Sequence, residues 1–145
     1  MNTNPSEHKS NTISMSISES FHRMWDMYSD ALDKIPETHW RTGTIDYLIP
    51  ARLMYHILEG VDFLSNPSYQ DFMWGHRFKV RWEHALPEHL PSKDHIREYL
   101  KEMIDKVDQW LNNLSEADLL AAEHDFSWAG SSKHGRALYL LTHCH

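Results

Sequence analysis

SKDHIREYLKEMIDKVDQWLNNL, residues 92–114, decides the fold. Ile96, Tyr99, Leu100, Met103, Ile104, Val107, Trp110, Leu111 and Leu114 recur at steps of three and four, which puts them on one stripe of an α-helix. Ser92 stands where an N-cap belongs, so the spacing predicts a helix from Ser92 to about Asn113. The apolar residues show no alternation of period two, so nothing in this stretch argues for a strand.

Upstream lies a connection at 65–91, broken by Pro67, Gly75, Pro87 and Pro91 and loaded with Phe72, Trp74, Phe78 and Trp82. Connections this long rarely lack structure of their own, so a short helix packed as a lid is expected here. Before it, Ile45, Leu48, Ile49, Leu53, Ile57, Leu58, Val61 and Leu64 mark a helix from about Thr44 to Leu64. Pro50 either belongs to its first turn or kinks it. Phe21, Met24, Trp25, Tyr28, Leu32 and Ile35 mark another, from about Ser16 to Lys34, that Pro36 ends. Residues 1–13 are polar and aperiodic and read as a disordered tail.

Downstream, a polar turn and AEHDFSWAGSS lead to Ser131 or Ser132 as the cap of a last helix, from Lys133 to the end, with Ala137, Leu140, Leu141 and Cys144 inward. Four amphipathic helices joined by unequal connections predict an all-α helical bundle in a single domain over 14–145.

Composition narrows the function. The 145 residues carry a formal charge of −7 and 41% hydrophobic residues, including six Trp. That charge repels nucleic acid and anionic membrane; the basic run HRFKVR at 76–81 is followed closely by Glu83 and Glu88 and reads as a solvated loop. Cys144 is the single cysteine, so no internal disulfide forms and a reducing cytoplasm is expected. No apolar run reaches the roughly 18 residues of a membrane span. Serine elbows, P-loops and dinucleotide fingerprints are absent.

The histidines carry the remaining signal. Ile49, Leu53, His56 and Gly60 fall along one line of the second long helix, which turns His56 partly inward. His143, Cys144 and His145 close the sequence, but residues two apart on a helix point about 200° apart, so His143 and His145 cannot share an ion there. Glu19 and His22 make one Glu-x-x-His, and a di-iron bundle needs two. His22–Asp26 and His56–Glu59 have helical pair spacing. Cys144 lies on the apolar stripe and reads as a small core residue.

Residues 14–145 resemble the DinB/YfiT-like family of four-helix bundles. The likeness rests on the first amphipathic helix, on ARLMYHILEGVDFL with one mid-helix histidine, the long aromatic connection, the capped SKDHIREYL and the final LLTHCH. It implies an up-down bundle with a divalent metal (Zn, Ni, Mn or Fe) held by one histidine of the second helix and two of the last, spaced H-x-x-x-H. His56 matches the first ligand and His143 the second; the third would fall two residues beyond His145. By that comparison the last helix is cut short, and the site is incomplete, completed further along a longer chain, or served by His145. The resemblance further implies a metal-dependent transferase using a low-molecular-weight thiol, or a hydrolase, with Trp74, Phe78 and Trp82 shaping the substrate pocket, and a homodimer. The alternative is a non-catalytic homodimeric stress or binding protein with structural histidines.

Overall fold

The computed structural model describes residues 12–145, and every regular element among them is helical. The expected tail therefore lies outside the described residues, except that Thr12 and Ile13 already belong to the first helix. Helix α1 spans Thr12–Lys34, α2 Glu37–Trp40, α3 Pro50–Leu64, α4 Lys93–Asn112, α5 Glu116–Leu120 and α6 Lys133–His143. The four longest pack in a cycle: α1 lies against α4 and α6, and α3 lies against the same two.

Caps and prolines set most of the boundaries. The Ser92 side chain accepts from the His95 amide and starts α4; Ser132 does the same for α6 through Gly135. Ser115 and Asp118 form a reciprocal capping box on α5, a helix the apolar pattern is too short to announce. The expected helix from Thr44 is corrected: a single 3₁₀ turn spans Asp46–Leu48, and the α-helix begins at Pro50 itself. Proline lacks the N–H that a first-turn residue leaves unbonded anyway, so it opens α3 without a kink.

This later start changes which residues face inward. Ile45 and Leu48 precede the helix and are exposed, and Leu53 is 41% exposed. The buried face of α3 centres on Ala51, Met54, Tyr55, Leu58 and Val61, which places His56 on its flank. On α1, Phe21, Met24, Trp25, Tyr28 and Leu32 are buried as expected; on α6 Ala137 and Leu140 are, as is Cys144 at its C-cap, while Leu141 is only partly buried, and burial pushes the Cys144 thiol up to about 12.

The connection at 65–91 holds only a 3₁₀ turn, Pro87–His89, rather than the expected helix. Side chains of neighbouring elements hold its backbone instead. Buried Arg52 donates to the carbonyls of Trp82 and Ala85, the latter at 2.8 Å, and Tyr55 Oη donates to that of Val80 at 2.8 Å. Trp40 Nε1 reaches the Pro91 carbonyl at 2.9 Å, and Arg41 holds that of Leu90.

A second buried arginine joins α6 to the end of α3. Arg136 is 2% exposed; its Nε donates to the Leu64 carbonyl at 2.8 Å, and one terminal nitrogen donates to Leu64 and Asn66. The other meets buried Glu123 at 3.3 Å, and the guanidinium lies 4.0 Å from the Phe126 ring centre and 4.8 Å from that of Trp110. Truncating one partner of such a pair strands the other charge in the interior. Arg136→Ala is expected to lower unfolding free energy by about 3–5 kcal/mol in urea titration, and Glu123→Gln by less, because its amide oxygen still accepts.

Candidate metal centre

Helices α3 and α6 run antiparallel: Arg136 meets Leu64, and about two turns later His143 meets Gly60 and His56. The His56 and His143 ring centres stand 5.1 Å apart with planes at 78°. Gly60 makes this approach possible, since a Cβ built there would lie 2.3 Å from His143 Nε2. Trp82, positioned by the grip of Arg52 on its carbonyl, covers His56 at 3.8 Å between ring centres.

One turn along α3, the fully buried Glu59 accepts through Oε1 from the Gly75 amide. Gly75 has φ +81°, a left-handed conformation that suits glycine and aims its N–H at α3. Six buried side-chain polar atoms among the described residues have no hydrogen-bond partner. Five belong to this region: His56 Nδ1, His143 Nε2, Glu59 Oε2, Glu83 Oε2 and Trp82 Nε1. Buried polar groups left unpaired are costly, so such a concentration marks a place where something polar is to be met.

The electrostatics favour neutral imidazoles. Burial lowers the pKa of His56, as does neighbouring His143, with Glu83 opposing. Burial lowers that of His143 too, against the backbone of His56. A neutral ring leaves one nitrogen lone pair free to ligate. Burial raises the Glu59 carboxyl, opposed by the Gly75 amide and reinforced by Glu83.

Two imidazoles on one tetrahedral ion, with metal–nitrogen bonds of about 2.1 Å, place their ring centres about 5 Å apart. The observed 5.1 Å matches that spacing, with His143 Nε2 turned towards the α3 backbone at Gly60. Among the described residues, however, no three His, Cys, Asp or Glu side chains form a group able to hold an ion. His145 is exposed, while His143 is half-buried, in keeping with their opposed directions on the helix.

The other sequence candidates separate. Trp82 reaches the site and Trp74 packs on Phe63 at 4.9 Å, but Phe78 lies against Tyr55, Tyr99 and His95 and is no part of it. His22 pairs with Asp108 of α4 at 2.9 Å rather than with Asp26, and Glu59 bonds Gly75 rather than His56. Sequence reasoning missed Arg52, Arg136 and Glu83; an arginine inside an apolar stripe, as in PARLM and GRALYLL, was the available signal.

A separate cleft of about 450 Å³ opens beside Asp62, Asn66, Phe72, Met73 and His76. Its buried carboxylate is fully engaged: Asp62 accepts from Tyr99 Oη at 2.8 Å and Lys106 Nζ at 2.5 Å, with His76 Nε2 at 3.4 Å. That network joins α3 to α4 and leaves no unpaired atom.

Compared with protein-family models, curated proteins and solved structures, the chain matches none.

Two outcomes follow from the site's packing and charge. In Gly60→Ala the added methyl requires the His143 ring to move, while alanine favours the helix by about 1 kcal/mol. Stability should stay near wild type, and NMR titration should show the His143 imidazole returning towards its ordinary pKa of 6.5. For acid stability, the unfolded chain protonates His56 and His143 near 6.5, while the folded chain resists; the unfolded state therefore binds more protons, and stability falls as pH drops below that value. Metal-free wild type should lose more unfolding free energy between about pH 7 and 5 than the His56→Gln/His143→Gln double variant.

Proposed function

We propose that the chain is a DinB-like four-helix bundle, built on α1, α3, α4 and α6, in which His56 and His143 hold a divalent metal for a thiol-dependent transferase or a hydrolase. One observation carries the reading: two buried imidazole nitrogens without partners, on rings 5.1 Å apart, across a glycine that makes room for them. The resemblance of ARLMYHILEG and LLTHCH to that family's ligand segments adds to it. The metal in this reading is zinc, nickel, manganese or iron.

Bound there, a divalent ion would lower the pKa of a thiol or water and make it nucleophilic at neutral pH. The protein's own residues do the rest. Burial keeps both imidazoles unprotonated, Gly60 sets the ring of His143 against α3, and Trp82 shields His56 from water. Glu59, fixed by Gly75, keeps an unpaired oxygen one turn from His56, suited to accept a proton from an incoming nucleophile. In the same reading the protein is cytoplasmic and homodimeric.

The competing reading is a non-catalytic homodimeric bundle for stress response or binding. It draws on the lack of a three-donor group among the described residues. Titration of metal-free protein with zinc, against a chromophoric chelator, separates the two. The metal reading expects one equivalent bound, with His56→Ala and His143→Ala each weakening it at least about tenfold, or 1.4 kcal/mol. No uptake, or uptake unchanged in both variants, would sink it, and sedimentation showing only monomer at micromolar concentration would remove the dimer from either reading.

A further inference from the structure

The cleft beside the end of α3 plays no part in the histidine pair, yet its walls are selective. Its volume of about 450 Å³ lies within the roughly 300–1,000 Å³ of small-molecule sites. Pro67, Phe72 and Met73 line it with apolar surface, and Asp62, Asn66, Ser68, Asp71 and His76 with polar groups. Which ligand such a cleft takes depends on the donors and acceptors that the fold leaves free.

The side-chain donors are spent. Asn66 Nδ2 donates to the Asp62 carbonyl at 2.7 Å, and Ser68 Oγ donates to Asp125 at 3.4 Å. His76 Nδ1 meets the Met73 carbonyl at 2.9 Å, while Nε2 faces the Asp62 carboxylate at 3.4 Å. Lys106, which pairs with Asp62, is itself held by three oxygens of Asp62 and Asn66 at 2.5 to 3.0 Å. No side-chain cation lining the cleft is left over for an anion.

Acceptors remain. The exposed carboxylate of Asp71 enters no hydrogen bond or ion pair among the described residues, and Asp125 adds a second carboxylate beside Ser68. The apolar wall is also set in advance, because near-perpendicular contacts to Trp74 and His76, with ring centres 5.1 and 5.3 Å away, fix Phe72. Surplus acceptors beside a fixed apolar wall select a cation with an apolar body. A bare metal ion fits poorly, since no three His, Cys, Asp or Glu side chains among the described residues form a group able to hold one.

We propose that this cleft binds a small organic ammonium, its apolar body against Pro67, Phe72 and Met73 and its charged head at Asp71. Neither His56 nor His143 takes part, so the site stands or falls independently of any metal.

The probes are 2-phenylethylamine, 2-phenylethanol and 3-phenylpropanoate, titrated at neutral pH and low salt into the isotopically labelled full chain, with amide shifts read by NMR. They share a ring and a similar length and differ in the charge of the head. The protonated amine should bind at least about threefold more tightly than either of the others, a factor within reach of an exposed ion pair, and should shift the amides of Ser68, Asp71 and Met73. Asp71→Asn should bring the amine down to the level of the alcohol and leave the alcohol unchanged. Asp26→Asn, which removes the same charge from α1, should alter neither. Equal affinity for amine and alcohol, an advantage that survives Asp71→Asn or is lost equally in Asp26→Asn, or shifts that bypass the cleft would overturn the site. So would the lack of any amine binding at millimolar concentration.

Discussion

The guanidinium of Arg136 is the contact on which the rest of this structure depends. It sits at the carboxyl end of α3, where the carbonyl of Leu64 is left over by the helix and that of Asn66 follows just beyond it, and a cation there is favoured by the helix dipole as well as by hydrogen bonding. Taking a charge out of water costs several kcal/mol, and only a nearly complete set of partners offsets that. Glu123 and the faces of Phe126 and Trp110 complete the set. Burial lowers the Arg136 pKa, but Glu123 acts to keep it charged. Because the fork is planar and its partners come from three segments, α6 is fixed in register on α3, and His143 is brought opposite Gly60.

Arg52 does the corresponding work at the other end of α3, where its acceptors are carbonyls of the connection rather than of a helix. Between the two arginines, α3 presents Tyr55, His56, Glu59, Gly60 and Phe63 in turn. Four of them face the connection, at Val80, Trp82, Gly75 and Trp74, and Gly60 faces His143 of α6. One helix face thus organises both the histidine pair and the path of the connection across it.

Much of this was legible in the sequence. The apolar periods of α1 and α4 and the caps at Ser92 and Ser132 report local physics, and local physics survives folding. His56 was readable as partly inward from its helical line, although Leu53 on the same line is exposed, and helical geometry separated His143 from His145. What was not legible depends on partners far away in sequence. The burial of Arg52 and Arg136 is decided by carbonyls 30 to 72 residues distant, as the Trp82, Ala85 and Leu64 contacts show. Phe78 could not be assigned from the connection's composition, since its direction is set by which carbonyls Arg52 and Tyr55 hold. The start of α3 was misplaced because Ile45 and Leu48 continue an apolar pattern that Pro50, as the first helical residue, cuts off.

The grip on the connection has an evolutionary consequence. Arg41, Arg52 and Tyr55 bind it through main-chain oxygens, and Glu59 binds it through a main-chain amide. Every amino acid but proline carries both groups. The path of the chain over α3 is thereby uncoupled from the identity of most side chains that ride on it. A descendant sequence can exchange most of the connection's residues while inheriting the same path over α3.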